Sequence, residues 1–178
     1  MVARGEGSAS DEPHGRPTRV RRPQPCSEAA QIITAWVEEN GAKPVATVLG
    51  SSMATSPALA ALANGTMGHA LDFDDVTFHM RGHPSVPVTP VVLALGEATG
   101  ACGADVLTAF IIGVEVEAEV GKAKTAAHIR HGWHPTGIIG TLGAAAAAAK
   151  LLGLNEAQTQ TALGIAASKA AGLRKNFG

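Results

Sequence analysis

Aromatic side chains are scarce in this chain of 178 residues: they make up 3% of the sequence, and tyrosine is absent. Strands of β-sandwiches and barrels are rich in β-branched and aromatic residues, so this shortage argues against those folds. Alanine runs and aliphatic side chains at helical spacing instead predict an all-α protein. The length suits one domain with enough core to fold.

Cysteine and long apolar runs are also lacking. The two cysteines, Cys26 and Cys102, are too few for a four-thiolate cluster or a disulfide framework, and we expect a reducing, cytoplasmic setting. The most apolar stretch begins at Val106 and reaches Glu115 before it is long enough to cross a membrane. A net charge of −1 gives no global electrostatic case for nucleic acid. We therefore expect neither a membrane span nor a nucleic-acid partner.

The chain divides into a polar tail and a helical region. Residues 1–25 are mostly Gly, Pro, Ser and Arg, with almost nothing to bury, and are expected to be disordered. Residues 26–178 carry the apolar pattern, in which Ser27, Ser56 and Asn155 are typical helix N-caps. Five or six helices are predicted, with approximate bounds 27–40, 56–73, 88–99, 104–127, 138–153 and 155–172.

One polar segment, HALDFDDVTFHMRGHP at residues 69–84, concentrates three histidines, three aspartates and an arginine. Two of the histidines, His79 and His83, are four residues apart and with Asp75 could bind zinc or iron. The glycine and proline on either side of His83 disfavour a regular helix through both histidines. Metal binding, acid–base catalysis and a solvated loop are the three interpretations that the residues leave open.

A second polar segment, HIRHGWHPTG at residues 128–137, interrupts the helical pattern and repeats the His-Pro dipeptide. Because proline restricts the preceding residue to extended geometry, His83 and His134 are both predicted to lie on loops. Two such loops could converge on one cleft, where a histidine with a pKa near 6.5 acts as a general acid or base. Two unrelated helix-breaking loops would give the same pattern.

Three glycines, Gly137, Gly140 and Gly143, recur at three-residue steps. Their spacing matches neither the dinucleotide-binding fingerprint nor a P-loop, and no predicted strand precedes them. Glycine at such steps lets helices approach closely, which is the role we expect here.

Five stretches, in this order, carry a family resemblance: AALANGTMGHALDFDD, HPSVPVTPVVLALGEATG, GVEVEAEVGKA, GWHPTGIIGTLGAAAAAAKLLGL and ALGIAASKAAGL. Over residues 48–178 they closely resemble the MmgE/PrpD family, which includes 2-methylcitrate dehydratase and cis-aconitate decarboxylase. The resemblance implies a helical domain followed by a smaller α+β domain, and usually a dimer. It also implies a di- or tricarboxylate substrate bound between the two domains, without a metal or other cofactor.

The resemblance also implies roles for particular residues. The first aspartate of the family's DFDD motif falls on Asp72, and the two histidines that precede proline fall on His83 and His134, which makes these three the candidate catalytic residues. The family's threonine corresponds to Thr77, and Arg81 could pair with a substrate carboxylate. Histidines can move the proton when water or carbon dioxide is lost, while Asp72 orients one of them.

The chain departs from the family pattern at its ends. It stops at GLRKNFG, where the family continues into a lysine before a PLHAG motif, and neither Lys169 nor Lys175 matches that lysine. The resemblance therefore predicts an incomplete helical domain that lacks the second α+β domain and is inactive alone. It would need a homodimer partner or a completing chain. A non-catalytic, dimerising helical remnant and a metal-binding helical protein are the alternatives.

Overall fold

The computed structural model describes residues 27–176, apart from the side chains of 124–128. The expected disorder of residues 1–25 concerns a segment outside the described residues. The described part is helical apart from one small antiparallel sheet, which confirms the predicted fold class. Its helices and strands are α1 Glu28–Asn40, β1 Ala46–Thr47, β2 Ala54–Thr55, α2 Pro57–His69, α3 Ser85–Thr99, α4 Gly103–Arg130, α5 Pro135–Leu151 and α6 Glu156–Lys169.

Side-chain caps set the starts of three helices. The hydroxyl oxygens of Ser27 and Ser56 accept hydrogen bonds from backbone amides three residues further on, at 3.1 and 3.4 Å. Asn155 forms a reciprocal capping box with Gln158, in which both hydrogen bonds are 3.0 Å long. These bonds satisfy amides that a helix otherwise leaves unpaired. The three N-caps predicted from the sequence are confirmed.

The predicted start of α3 at residue 88 is wrong, because this helix begins at Ser85. The carboxylate of Asp75 accepts hydrogen bonds from the backbone amide and the hydroxyl of Ser85, at 3.2 and 2.8 Å. A carboxylate ten residues away in sequence therefore caps the helix.

Several other predicted helix boundaries also need correction. Helix α5 begins at Pro135 instead of residue 138. Helix α2 ends at His69 instead of continuing to residue 73, and Asp72 beyond it has a left-handed backbone with a φ of 54°. Helix α4 runs on to Arg130, so it includes the first part of the predicted polar interruption. Helix α6 ends at Lys169, before the glycine expected to close it. The shorter α2 matters most, because it places the acidic residues on a loop.

Helix α5 packs against α3, α4 and α6 and holds the centre of the fold together. A buried aliphatic cluster joins α3, α4 and α5. It contains Val88 and Val92 of α3, Ala109 of α4 and Ala147 of α5. Small residues allow the close approach: a Cβ on Gly140 would clash with Pro87, and one on Gly143 would clash with Glu117. The packing role predicted for these glycines is confirmed. None of the described helices is both long and apolar enough to cross a membrane.

Glu117 lies in this helical core with no exposed surface. Neither of its carboxylate oxygens has a hydrogen-bond partner among the described residues. Burial, and to a lesser degree the charge of Asp75, raises the pKa of Glu117 to about 8. The carboxyl group is therefore mostly protonated at neutral pH, which makes its burial tolerable.

We expect Glu117 to lower the free energy of unfolding by on the order of 1 kcal/mol per pH unit between about pH 4.5 and about pH 8. In this window the folded protein keeps a proton that the unfolded chain releases, so a rising pH favours unfolding. Glu117→Gln keeps a neutral side chain of similar shape, and should remove this component and raise stability near pH 8. Chemical denaturation at several pH values measures it. The exposed Glu115→Gln is the control, and an equal change in both variants would contradict the prediction.

Candidate active site

The segment between α2 and α3 folds into a tight turn that carries several of the predicted site residues. The amide of Thr77 donates to the carbonyl of Gly82 at 3.1 Å, and the amide of Arg81 donates to the carbonyl of Thr77 at 2.8 Å. Arg81 has a left-handed backbone with a φ of 52°. Met80, at the centre of the turn, is fully buried and anchors the loop to the core.

Two close contacts fix this loop against helices α4 and α5. A Cβ on Gly121 of α4 would lie 2.6 Å from the carbonyl oxygen of His79, so only glycine allows the observed approach. The hydroxyl of Thr136, in the first turn of α5, accepts a hydrogen bond from the amide of His83 at 3.1 Å. A Cβ on Gly82 would lie 2.7 Å from the same hydroxyl oxygen. The position of His83 is therefore set by both helices.

The second His-Pro loop is held by the C-terminal end of the described chain. The amide of His134 donates to the carbonyl of Gly172, and the amide of Arg174 donates to the carbonyl of Gly132, both at 2.9 Å. Trp133 and Leu173 form an isolated antiparallel bridge between these two hydrogen bonds. This pairing brings the segment that carries Arg174 alongside the His134 loop.

The two His-Pro loops meet at one cleft of about 210 Å³. Arg81 and His83 from the first loop and His134 and Arg174 from the second region line it. A neighbouring cleft of about 530 Å³ shares His134 and is also lined by His69 and Asp72. The convergence that the sequence left open is therefore observed, and the interpretation as two unrelated loops is wrong.

A cluster of imidazoles and carboxylates, which we call the Asp74 cluster, consists of His69, Asp72, Asp74 and His83. Nδ1 of His69 lies 3.0 and 3.1 Å from the two carboxylate oxygens of Asp74. Nδ1 of His83 lies 3.1 Å from Asp74 Oδ2, and its Nε2 lies 3.4 Å from Asp72 Oδ1. The two imidazole rings meet edge to face, with centroids 4.7 Å apart. The ring of His83 is thus flanked by a carboxylate at each nitrogen.

The environment of His134 favours its neutral form. Burial lowers the pKa of His134 below its usual value, and the positive charges that His69, His83 and Arg174 carry when protonated lower it further. A histidine that is neutral at pH 7 can accept a proton, as a general base must.

The structure brings most of the predicted site residues to the clefts, but not all of them. Arg81 and His83 line the first cleft, Asp72 lines the second, and His134 lines both. Thr77 is absent from the linings of both; its backbone closes the loop and its hydroxyl accepts a weak hydrogen bond from the amide of His79 at 3.4 Å. Its predicted contact with substrate remains a prediction.

The ligand set proposed for a metal, His79 and His83 with Asp75, is wrong. Asp75 caps α3 through Ser85. Within the described part of the chain, the His, Asp, Glu and Cys side chains close enough to share a cation are those of the Asp74 cluster, whose ligand atoms lie within 4.8 Å of one another.

Sequence reasoning gave no role to three residues of the site. His69 and Arg174 line the clefts, and Asp74 contacts the imidazoles of His69 and His83. His69 and Asp74 lie in the polar segment at residues 69–84. The sequence alone does not distinguish Asp74 from the neighbouring Asp75, because only the folded loop shows that Asp74 contacts the histidines and Asp75 contacts Ser85. Arg174 gave no signal, because its position depends on backbone pairing with a loop about forty residues away.

Comparison with known proteins gives a consistent match. Residues 25–178 match the model of the MmgE/PrpD N-terminal domain. Human cis-aconitate decarboxylase is 44% identical over 119 residues, which cover 64% of this chain and 24% of the human protein. A cis-aconitate decarboxylase of Aspergillus terreus is 33% identical over 132 residues, which cover 71% of this chain and 27% of that protein. The chain thus spans about a quarter of the length of these relatives.

Replacing Arg174 by Gln should raise the pKa of His134, because it removes a nearby positive charge that opposes protonation. The pKa should stay below its ordinary value, since burial is the larger cause. An NMR titration of the histidine side chains measures this, and Lys175→Gln, one residue further along, is the matched control. No change in the pKa of His134 in Arg174→Gln, or an equal change in both variants, would contradict an electrostatic effect of Arg174 on His134.

Proposed function

Because this chain belongs to the MmgE/PrpD family, we propose that it provides part of a lyase site that acts on a di- or tricarboxylate by acid–base chemistry. The observation that carries the proposal is the meeting of His83 and His134 with two arginines at one cleft. The cleft thus offers groups that transfer protons beside groups that bind anions.

The two arginines give the cleft its capacity for anions. Arg81 and Arg174 come from separate loops and line the same 210 Å³ space. Guanidinium groups bind carboxylates through paired, charge-assisted hydrogen bonds, and they stay protonated at any physiological pH. A substrate with two or three carboxylates could engage both arginines and present the remaining carbon atoms to the histidines.

The histidines divide the proton transfer between them. His134 is the candidate base, because its surroundings favour the neutral ring. His83 is the candidate partner, since the carboxylates of Asp72 and Asp74 hold its ring in one orientation. In a dehydration, a base removes a proton from carbon while an acid protonates the leaving hydroxyl. In a decarboxylation, carbon dioxide leaves and the electron pair left on carbon takes a proton from an acid.

The names of the relatives favour decarboxylation of cis-aconitate over dehydration of 2-methylcitrate as the reaction to test first. The matched segments cover only about a quarter of these relatives, so we propose that turnover requires residues beyond this segment, from a longer chain, a second copy or a completing chain. On this proposal the isolated chain binds the substrate and converts little or none of it.

Isothermal titration of cis-aconitate, 2-methylcitrate and citrate into the purified chain tests the proposal. We expect saturable binding of at least one acid, weakened about tenfold or more by His83→Ala, because charge-assisted contacts contribute roughly 1.5–3 kcal/mol. The matched control is His131→Ala, an exposed histidine beside the second loop that does not line the cleft.

Two outcomes would count against the proposal. Absence of binding by a chain that circular dichroism shows to be helical would favour a non-catalytic helical protein. Efficient turnover of cis-aconitate by the isolated chain would contradict the requirement for a further copy or chain.

A further inference from the structure

We propose that Asp75 and Glu117 form a pH-sensitive latch on the α2–α3 loop, residues 70–84, which carries His83. The two carboxyl groups approach the first turn of α3 from opposite origins, Asp75 from the loop and Glu117 from the core. The latch is closed while Glu117 holds a proton, and it weakens when both groups are charged. The inference concerns the position of the loop and does not depend on the proposed lyase chemistry.

Asp75 ties the loop to the start of α3. Its two carboxylate oxygens accept hydrogen bonds from the backbone amide and the hydroxyl of Ser85, at 3.2 and 2.8 Å. Ser85 follows His83 by two residues, so the same contact holds the stretch of chain that carries His83. The next hydrogen bond along this stretch joins the amide of His83 to the hydroxyl of Thr136 at 3.1 Å. Loss of the Asp75 contact would therefore release the loop at the end that bears the histidine.

The carboxyl group of Glu117 lies against the same helical turn from the side of the core. A Cβ on Gly140 would clash with Pro87 of α3 and would lie 3.5 Å from Oε1 of Glu117. Glu117 has no exposed surface, and neither of its carboxylate oxygens has a hydrogen-bond partner among the described residues. The residues that face it from α3 and α5, Pro87, Gly140 and Gly143, carry no charge, and proline has no N–H to donate. A negative charge on Glu117 would therefore be uncompensated.

The two carboxyl groups act on each other electrostatically. Burial, and after it the charge of Asp75, raise the pKa of Glu117 to about 8. Its acidic neighbours on α4, Glu115 and Glu119, are exposed to solvent. The closed loop thus favours one proton on the pair, whereas a loop that opens hydrates Glu117 and lets it ionise closer to its ordinary value. Opening should therefore become more favourable by up to about tenfold per pH unit as the pH rises toward about 8, and should level off above it.

Tryptic cleavage of the purified chain after Arg81 measures the opening of the loop. Arg81 is exposed but Gly82 is buried, so trypsin should cut the bond between them only when the loop opens. Mass spectrometry follows this cleavage at several pH values, and each rate is divided by that of Glu117→Gln at the same pH to cancel the pH dependence of trypsin. We expect the ratio to rise by about tenfold between about pH 6.5 and about pH 8, and to level off at higher pH.

Two controls separate the latch from other causes. Glu115→Gln changes an exposed acid on the same helix and should keep the rise seen in the wild-type chain. Cleavage after Lys150, within α5, reports unfolding of the whole core and should not follow the same curve. Circular dichroism establishes that each variant is folded.

A ratio that does not change with pH would overturn the latch. Protection of the Arg81–Gly82 bond at every pH would overturn it as well, and so would an equal rise of cleavage after Lys150, which would mean that the whole core unfolds. If Glu117→Gln does not fold, the ratio of cleavage after Arg81 to cleavage after Lys150 in the wild-type chain decides the question, because only the latch predicts that this ratio rises up to about pH 8.

Discussion

The hydrogen bond from the amide of His83 to the hydroxyl of Thr136 couples the two His-Pro loops, and the candidate site depends on this contact. Thr136 follows His134 by two residues at the start of α5, so the bond holds the two histidines in a fixed relation. The contact is possible because Gly82 has no Cβ to collide with the hydroxyl. Gly121 allows the other side of the loop to rest on α4. Two glycines and one threonine thus set the position of the polar loop against α4 and α5.

Beneath the two loops, small residues let the helices pack closely around the buried Glu117. Gly140 and Gly143 bring α5 close to Pro87 and Glu117, and Glu117 has no exposed surface in this packing. A charged group there would lack compensation, so burial keeps the proton on the acid. The two loops connect helices of this packed core, α2 to α3 and α4 to α5. The arrangement suits a site that must hold a substrate with several charges.

Much of the fold and part of the site could be predicted from the sequence. Helix caps such as Ser27 and Asn155 are local signals, and the His-Pro dipeptides correctly indicated two loops. The start of α3 was missed because its cap comes from the distant Asp75, and Arg174 was missed because backbone pairing, not a motif, positions it. Sequence spacing also grouped Asp75 with His79 and His83, whereas in the structure Asp75 accepts hydrogen bonds from Ser85 at the start of α3.

A double-mutant cycle on cis-aconitate binding tests the central claim, that the two loops form one anion-binding site, most directly. The dissociation constant would be measured for the wild-type chain, His83→Ala, His134→Ala and the double variant. If both histidines contact or orient the same bound acid, their effects should deviate from additivity by at least about 0.5 kcal/mol. Strictly additive effects, or a loss confined to one histidine, would contradict the claim, because the two loops would then act independently on the ligand.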